Sequence, residues 1–202
     1  MTTNIRIGIA GIALVAGFGF IYMSSPTQAA QEKDIKVAVQ KIADAIKKDD
    51  KDGAKKLAAA TAKDKALDDD LIDVMRMFKL RKKLGLGVGA QPLQNEAKDG
   101  IEAAIRELAK GPPGGFAKNL PAYEEMGYHI AALGELSAAG IAHAPIGAGK
   151  KNKKAWADMS EEMRVGGLAF AKAAAGKNAD TIQKAAAKVN ENCNKCHSIF
   201  KD

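Results

Sequence analysis

Cysteine, histidine and aromatic side chains are scarce in this chain: two Cys, three His and 5% Phe, Trp and Tyr among 202 residues. Two cysteines cannot staple a small scaffold at several points, so a hydrophobic core has to hold the fold, and a chain of this length can bury one. The histidines outside the cysteine segment, His129 and His143, lack the pair spacing that a structural zinc site would need. Runs of β-branched residues are few, and no segment reads as a strand. Arg-rich stripes and basic patches interleaved with aromatics are missing, which removes the argument for nucleic acid although the formal net charge is +7. No predicted face gathers His, Ser, Asp or Glu in a constellation for hydrolysis or group transfer, so no enzyme activity is expected. What remains is a chain of Ala/Lys/Leu/Asp stretches that favours helix throughout. Its excess basic charge is spread through mixed Lys/Asp segments, a solvated surface suited to acidic partners.

Residues 1–29 follow their own logic. One positive charge precedes the uncharged apolar run Ile7–Met23, and Ser24-Ser25-Pro26-Thr27-Gln28-Ala29-Ala30 is small, polar and helix-breaking. That is the layout of a secretory signal with a cut after Ala29 or Ala30. Seventeen apolar residues are long for such a signal and marginal for a span, so an uncleaved membrane anchor is the other outcome. Both put the folded part outside the cytoplasm, in the periplasm.

Beyond the leader, amphipathic stretches alternate with polar or Gly/Pro punctuation. Ile35, Val39, Ile42 and Ile46 recur at helical spacing, a turn is expected over 47–53, and Ala54–Ala62 makes a second short helix. These form an N-terminal helical hairpin over residues 30–64. Residues 65–202 are expected to be a helical bundle. Its first stripe is Leu67, Leu71, Val74, Met75 and Phe78, and Asp68-Asp69-Asp70 reads as a helix start favoured by the dipole. The stretch from Gly85 to Pro92 ends that helix; it follows no strand and lacks the Lys-Ser/Thr of a phosphate loop. Ile101, Ile105 and Leu108 mark a short inserted helix, and Tyr123 to Ile141 a long one. Trp156, Met159, Met163, Gly167, Phe170 and Ala174 mark another. Gly166-Gly167 and Ala173–Ala175 permit either tight helix packing or close approach of a flat ligand. The last helix is expected to be capped at Asp180 and carries Ile182, Ala186, Val189, Cys193, Cys196 and Phe200 in a 4-3-4-3-4 spacing suited to bundle packing. A faint likeness between 41–60 and 170–187 is what two Ala-rich hairpins share by composition.

The chemistry concentrates at Cys193-Asn194-Lys195-Cys196-His197. In an exported protein a cysteine pair suggests a disulfide, but that leaves the adjoining histidine unexplained. A thioredoxin-like redox pair needs a βαβ setting that is absent here. Cys-x-x-Cys-His is the attachment signature of c-type haem. On a helix, residues three and four apart share a face. Both thiols can then add to the porphyrin vinyl groups while the His197 imidazole reaches the iron.

With those residues in view, the segment Asn192 to Lys201 resembles the C-terminal helix of cytochrome c′ and the related class II cytochromes c. The motif lies five residues from the chain end, followed by an aromatic and a basic residue, Phe200 and Lys201. The resemblance is strong over 123–202 and looser before it; the chain exceeds the family's usual length by some tens of residues. It implies an all-α, four-helix bundle of the cytochrome c′ type, here with the extra N-terminal hairpin and the short inserted helix. It implies one haem c, with Cys193 and Cys196 in thioether links and His197 as axial iron ligand. Lys201 would sit near the imidazole or a propionate, or simply be solvated at the helix end. Within the family a methionine from the first bundle helix gives a six-coordinate, electron-transferring haem, and an apolar residue there gives a five-coordinate haem that binds small gases such as NO or CO. Met75 is the candidate sixth ligand and Met77 the second choice; Met126, Met159, Met163 and His129 follow. Methionine at helical spacing also serves as gap-filling core. Redox partner proteins, the haem-loading machinery and a homodimer are the associations this resemblance carries.

Overall fold

The computed structural model describes residues 28–63, 67 and 71–201, with side chains described from residue 34 onward. The apolar run 7–23 and the acidic triplet 68–70 lie outside the described residues. Within them the chain is helical, with α1 (Gln28–Lys47), α2 (Lys51–Lys63), α3 (Ile72–Arg76), α4 (Ile101–Leu108), α5 (Leu120–Ala139), α6 (Lys153–Ala175) and α7 (Ala179–Phe200). Single 3-10 turns cover Arg81–Lys83, Phe116–Asn119 and Ile141–His143. The only β pairing among the described residues is an isolated bridge between Leu80 and Gly100. No helix among them is long and apolar enough to cross a membrane. Both expected cleavage points, after Ala29 and Ala30, fall in the first turn of α1.

The α5–α6 pair is the spine. A Cβ on Gly127 would stand 2.5 Å from the amide nitrogen of Ala171, and one on Gly167 the same distance from that of Ala131. A Cβ on Gly134 would meet the nitrogen of Arg164 at 2.6 Å. The pairings 127 with 171, 131 with 167 and 134 with 164 advance on one helix as they retreat on the other, so the two are antiparallel and in backbone contact. Gly167 therefore serves tight helix packing, and Gly166 faces Val189 and Asn192 of α7. The α7 helix returns antiparallel along α6: the Asn192 side-chain amide donates to the Glu162 carbonyl at 3.0 Å, and Phe200 meets Trp156 edge to face at 5.0 Å. Trp156 in turn donates its indole N–H to the Ser137 carbonyl at 2.8 Å. The α1–α2 hairpin packs on α5, α4 packs on α7, and one hydrophobic core runs from Ile35 to Phe200.

Three local expectations change. The turn after α1 is shorter than 47–53, since α2 already begins at Lys51. The last helix is capped by Asn178, whose side chain accepts from the Thr181 amide at 3.0 Å, and Asp180 sits in the first turn. Among the described residues, the stripe running to Phe78 is α-helical over Ile72–Arg76 and leaves the helix before Phe78. There the chain tightens into turns, because its next backbone groups are used elsewhere. Arg81 donates its N–H to Asp99 at 2.7 Å, Glu102 donates to the Phe78 carbonyl at 2.9 Å, and Leu86 to Met77 at 3.0 Å. A Cβ at Gly100 would lie 2.8 Å from the Leu80 Cα, so this crossing requires glycine. The buried Asp99 carboxylate accepts from the Arg81 guanidinium and from the Val88 amide, both at 2.8 Å, and locks the segment in place. An isolated Asp99 charge in that position would be costly, so the pair holds the segment more firmly than a surface ion pair could.

His129 is buried between α5 and α1, with Nε2 2.9 Å from Gln40 Oε1. Burial depresses its pKa, with Arg81 adding to that shift against the opposing charges of Glu125 and Asp44. The unfolded chain therefore takes up this proton at a higher pH than the folded one, and the contribution to stability is lost as pH falls below the ordinary histidine value of about 6.5. Between about pH 7 and pH 5 the wild type should lose more melting temperature than His129→Gln. Parallel pH slopes in the two proteins, followed by thermal unfolding, would contradict this assignment.

Candidate functional site

On α7 the burial of Ile182, Ala186 and Val189 turns Cys193 and His197 toward the space between α7 and α4. Successive helical residues turn by about 100°, so Cys196 lies about 60° to one side of Cys193 and His197 about 40° to the other. The structure follows this split. Cys193 and His197 line a cavity of about 370 Å³, whereas Cys196 is partly buried against the core nearer α6 and feels the charge of Glu162. The three side chains thus straddle the edge of a crevice, with His197 exposed, and do not share one face as closely as their spacing alone suggested. Both cysteines are free thiols.

The opposite wall comes from the segment fixed by Asp99. It contributes Met75, Phe78 and Lys79, and α4 adds Ile101, Glu102, Ile105 and Arg106. The α6 helix contributes Met163, and α7 adds Val189, Asn190 and Asn194. Met75 is half-buried on this wall while Met77 is fully buried in the core, so the two methionines of one short segment divide the roles of cavity lining and filler. Met126 and Met159 are core residues, and His129 belongs to the α1–α5 seam. Trp156, Phe170 and Tyr123 are buried in the core away from the cavity. Lys201 is exposed at the end of α7 and outside the cavity lining; its amide donates to the His197 carbonyl at 3.1 Å.

Electrostatics follow from this placement. Burial pushes the Cys193 thiol up to about 11, with the charges of Cys196 and Glu102 in the same direction. Burial also raises Cys196, with Glu162 adding to it. Burial lowers His197, helped by the positive charges of Lys201 and Lys79 and opposed by Glu102. The imidazole is therefore held neutral, the form in which a ring nitrogen is free to bind a metal. Glu102 is raised by burial but more than compensated by the Lys79 hydrogen bond and charge, then by Arg106 and His197, so its carboxyl sits below its ordinary range.

Sequence patterning identified Cys193, His197 and Met75, and the fold brings these three to one cavity. It missed Lys79, Glu102 and Arg106, and it placed Met163 only among the later candidates for the sixth ligand. Ile101 and Ile105 did carry a signal as one apolar helix face, but the pattern could not say which helix that face meets. The donors around this largely apolar space are the Cys193 thiol, a neutral imidazole and the thioethers of Met75 and Met163, with the Cys196 thiol just outside the lining. This is the donor set of covalently held iron porphyrin. A pocket of this size is in the range of small-molecule and cofactor sites, and Lys79 and Arg106 offer cations at its rim. The residues present therefore fit the group that the Cys-x-x-Cys-His motif implies. Among the described residues, no three His, Cys, Asp or Glu side chains converge as a bare metal-ion site does. Comparison with protein-family models, with curated proteins and with solved structures gave no match.

In the reduced, haem-free chain the raised Cys193 pKa leaves about 100-fold fewer thiolates than an ordinary thiol, partly offset by the greater nucleophilicity of a more basic sulfur. Iodoacetamide should label it roughly tenfold more slowly in the folded protein than in urea. Equal rates in both states, read by peptide mass spectrometry, would show that the thiol is not buried.

Proposed function

We propose that this chain is a class II c-type cytochrome, an exported electron carrier with one covalently attached haem and no substrate chemistry of its own. The observation that carries this reading is that Cys193, His197 and Met75 line one apolar cavity although more than a hundred residues separate Met75 from the motif. In this reading α5, α6 and α7 are three bundle helices, and the broken segment from α3 to α4 fills the fourth place beside α7. The α1–α2 hairpin is then the addition that lengthens the chain.

Cys193 and Cys196, one on each flank of the α7 ridge, would hold the porphyrin through thioethers, and His197 would bind the iron. When bound, the haem supplies reversible one-electron exchange between ferrous and ferric iron. Phe78, Ile101, Ile105 and Val189 keep water from the cavity, and a drier pocket strengthens every charge placed on its wall. Met75 would be the residue to supply the second protein ligand, and a histidine–methionine pair would raise the potential toward that of an electron carrier. The crevice is open along the His197 side, which suits brief, salt-sensitive encounters with an acidic redox partner rather than a stable complex. The export segment fits a periplasmic address, where the haem-loading machinery would act.

The reduced absorption spectrum tests Met75. The wild type should show a sharp low-spin α band and resist carbon monoxide. Met75→Ala should lose that band and take up carbon monoxide rapidly. A wild type that is high-spin and binds the gas at once would replace the carrier with a gas-binding protein. An unchanged low-spin spectrum in Met75→Ala would move the sixth ligand elsewhere, with Met163 next on the cavity wall.

A further inference from the structure

Among the residues lining the cavity, Glu102 is the one acid. Its backbone N–H is tied to the Phe78 carbonyl at 2.9 Å, so its place on the wall is fixed. One carboxylate oxygen accepts from Lys79 Nζ at 2.8 Å and the other meets the Arg106 guanidinium one turn along α4. Pairs of this kind on an open surface are each worth less than about 1 kcal/mol, so stability gives little reason for the cluster. Its position gives a better one. Glu102 lines a largely apolar cavity, and its charge is felt by both Cys193 and His197 on the facing helix.

We propose that Glu102 is a potential-setting residue: its fixed negative charge favours the ferric iron over the ferrous, and Lys79 and Arg106 keep the carboxylate ionised and in place. This rests on the haem reading given above. The ferric state carries one more positive charge than the ferrous, so a nearby anion stabilises it preferentially and lowers the reduction potential. Lys79 lies on the same rim and acts with the opposite sign. Because half of the Lys79 side chain is exposed to solvent, its effect is the more strongly screened of the two. The cluster is therefore a pair of opposed settings. Removing the acid leaves two uncompensated cations beside the iron, and removing Lys79 leaves the acid with one cation fewer.

The test is the midpoint potential of the haem-loaded protein, measured by spectroelectrochemistry for the wild type, Glu102→Gln, Glu102→Asp and Lys79→Gln. Glu102→Gln should shift it upward by about a tenfold change in the ferric-to-ferrous ratio, ~59 mV for one electron. Glu102→Asp should restore most of the wild-type value. Lys79→Gln should shift it downward by less. A purely structural role predicts no such reversal of sign. A haem-loaded Glu102→Gln protein with an unmoved potential, or one shifted in the same direction as Lys79→Gln, overturns the proposal and leaves the haem reading standing. If Glu102→Gln does not fold, a Lys79→Gln potential at or above that of the wild type overturns it equally. A wild type that carries no haem removes the haem reading first, and this proposal with it.

Discussion

The rotation of α7 about its own axis is the constraint on which the site depends. Four contacts set it. Val189 packs against Gly166, and Asn192 donates to the Glu162 backbone. Lys195 reaches the Glu162 carboxylate at 2.6 Å, and Phe200 is held by Trp156. Turning the helix by one residue's worth, about 100°, would carry His197 out of the crevice and bring the charged Lys195 edge inward. Polar and aromatic contacts of this kind are directional, so they fix an angle where plain apolar packing would tolerate several. Behind them stands the α5–α6 seam, whose glycines let two backbones touch and give α6 a defined position from which to orient α7.

The opposite wall is built in another way. The segment that supplies Met75, Phe78 and Lys79 is hardly helical, and its shape depends on one buried carboxylate. Asp99 draws in the Arg81 guanidinium and the Val88 amide, and Arg81 donates onward to the Gly89 carbonyl at 2.7 Å. A loop that would otherwise be long and loosely held is thereby tied to the start of α4. One wall of the crevice is thus a regular helix with a fixed rotation, and the other is an irregular segment pinned by a buried ion pair. A site between the two can open toward solvent without losing its geometry.

How much of this was legible in the sequence depends on the range of the interactions concerned. The long helices were readable because a 3.6-residue apolar period is a local signal, and Trp156, Phe170, Ile182 and Val189 are buried where that period places them. The Cys-x-x-Cys-His motif stood out because its spacing is a local pattern. Asn178, by contrast, offers the same capping chemistry as Asp180 two residues earlier, and only the backbone conformation decides between them. The early end of α3 was hidden because tertiary contacts with Asp99, Gly100 and Glu102, some twenty residues on, override a helical pattern. The Lys79–Glu102–Arg106 cluster was hidden for the same reason, since its members meet across two segments. Met75 and Met77 look alike in sequence, and only the turn of the chain after Arg76 sends one to the cavity and the other to the core.

The central claim is that the chain carries a haem covalently, through the two sulfurs on α7. Intact-mass spectrometry under denaturing conditions tests it directly on protein matured through export in cells with an active haem-attachment system. The account predicts a mass raised by one haem, mapped to the peptide containing Cys193 and Cys196, and an unmodified mass when both cysteines are replaced by alanine. An unmodified wild-type chain whose two thiols remain free for alkylation would contradict it.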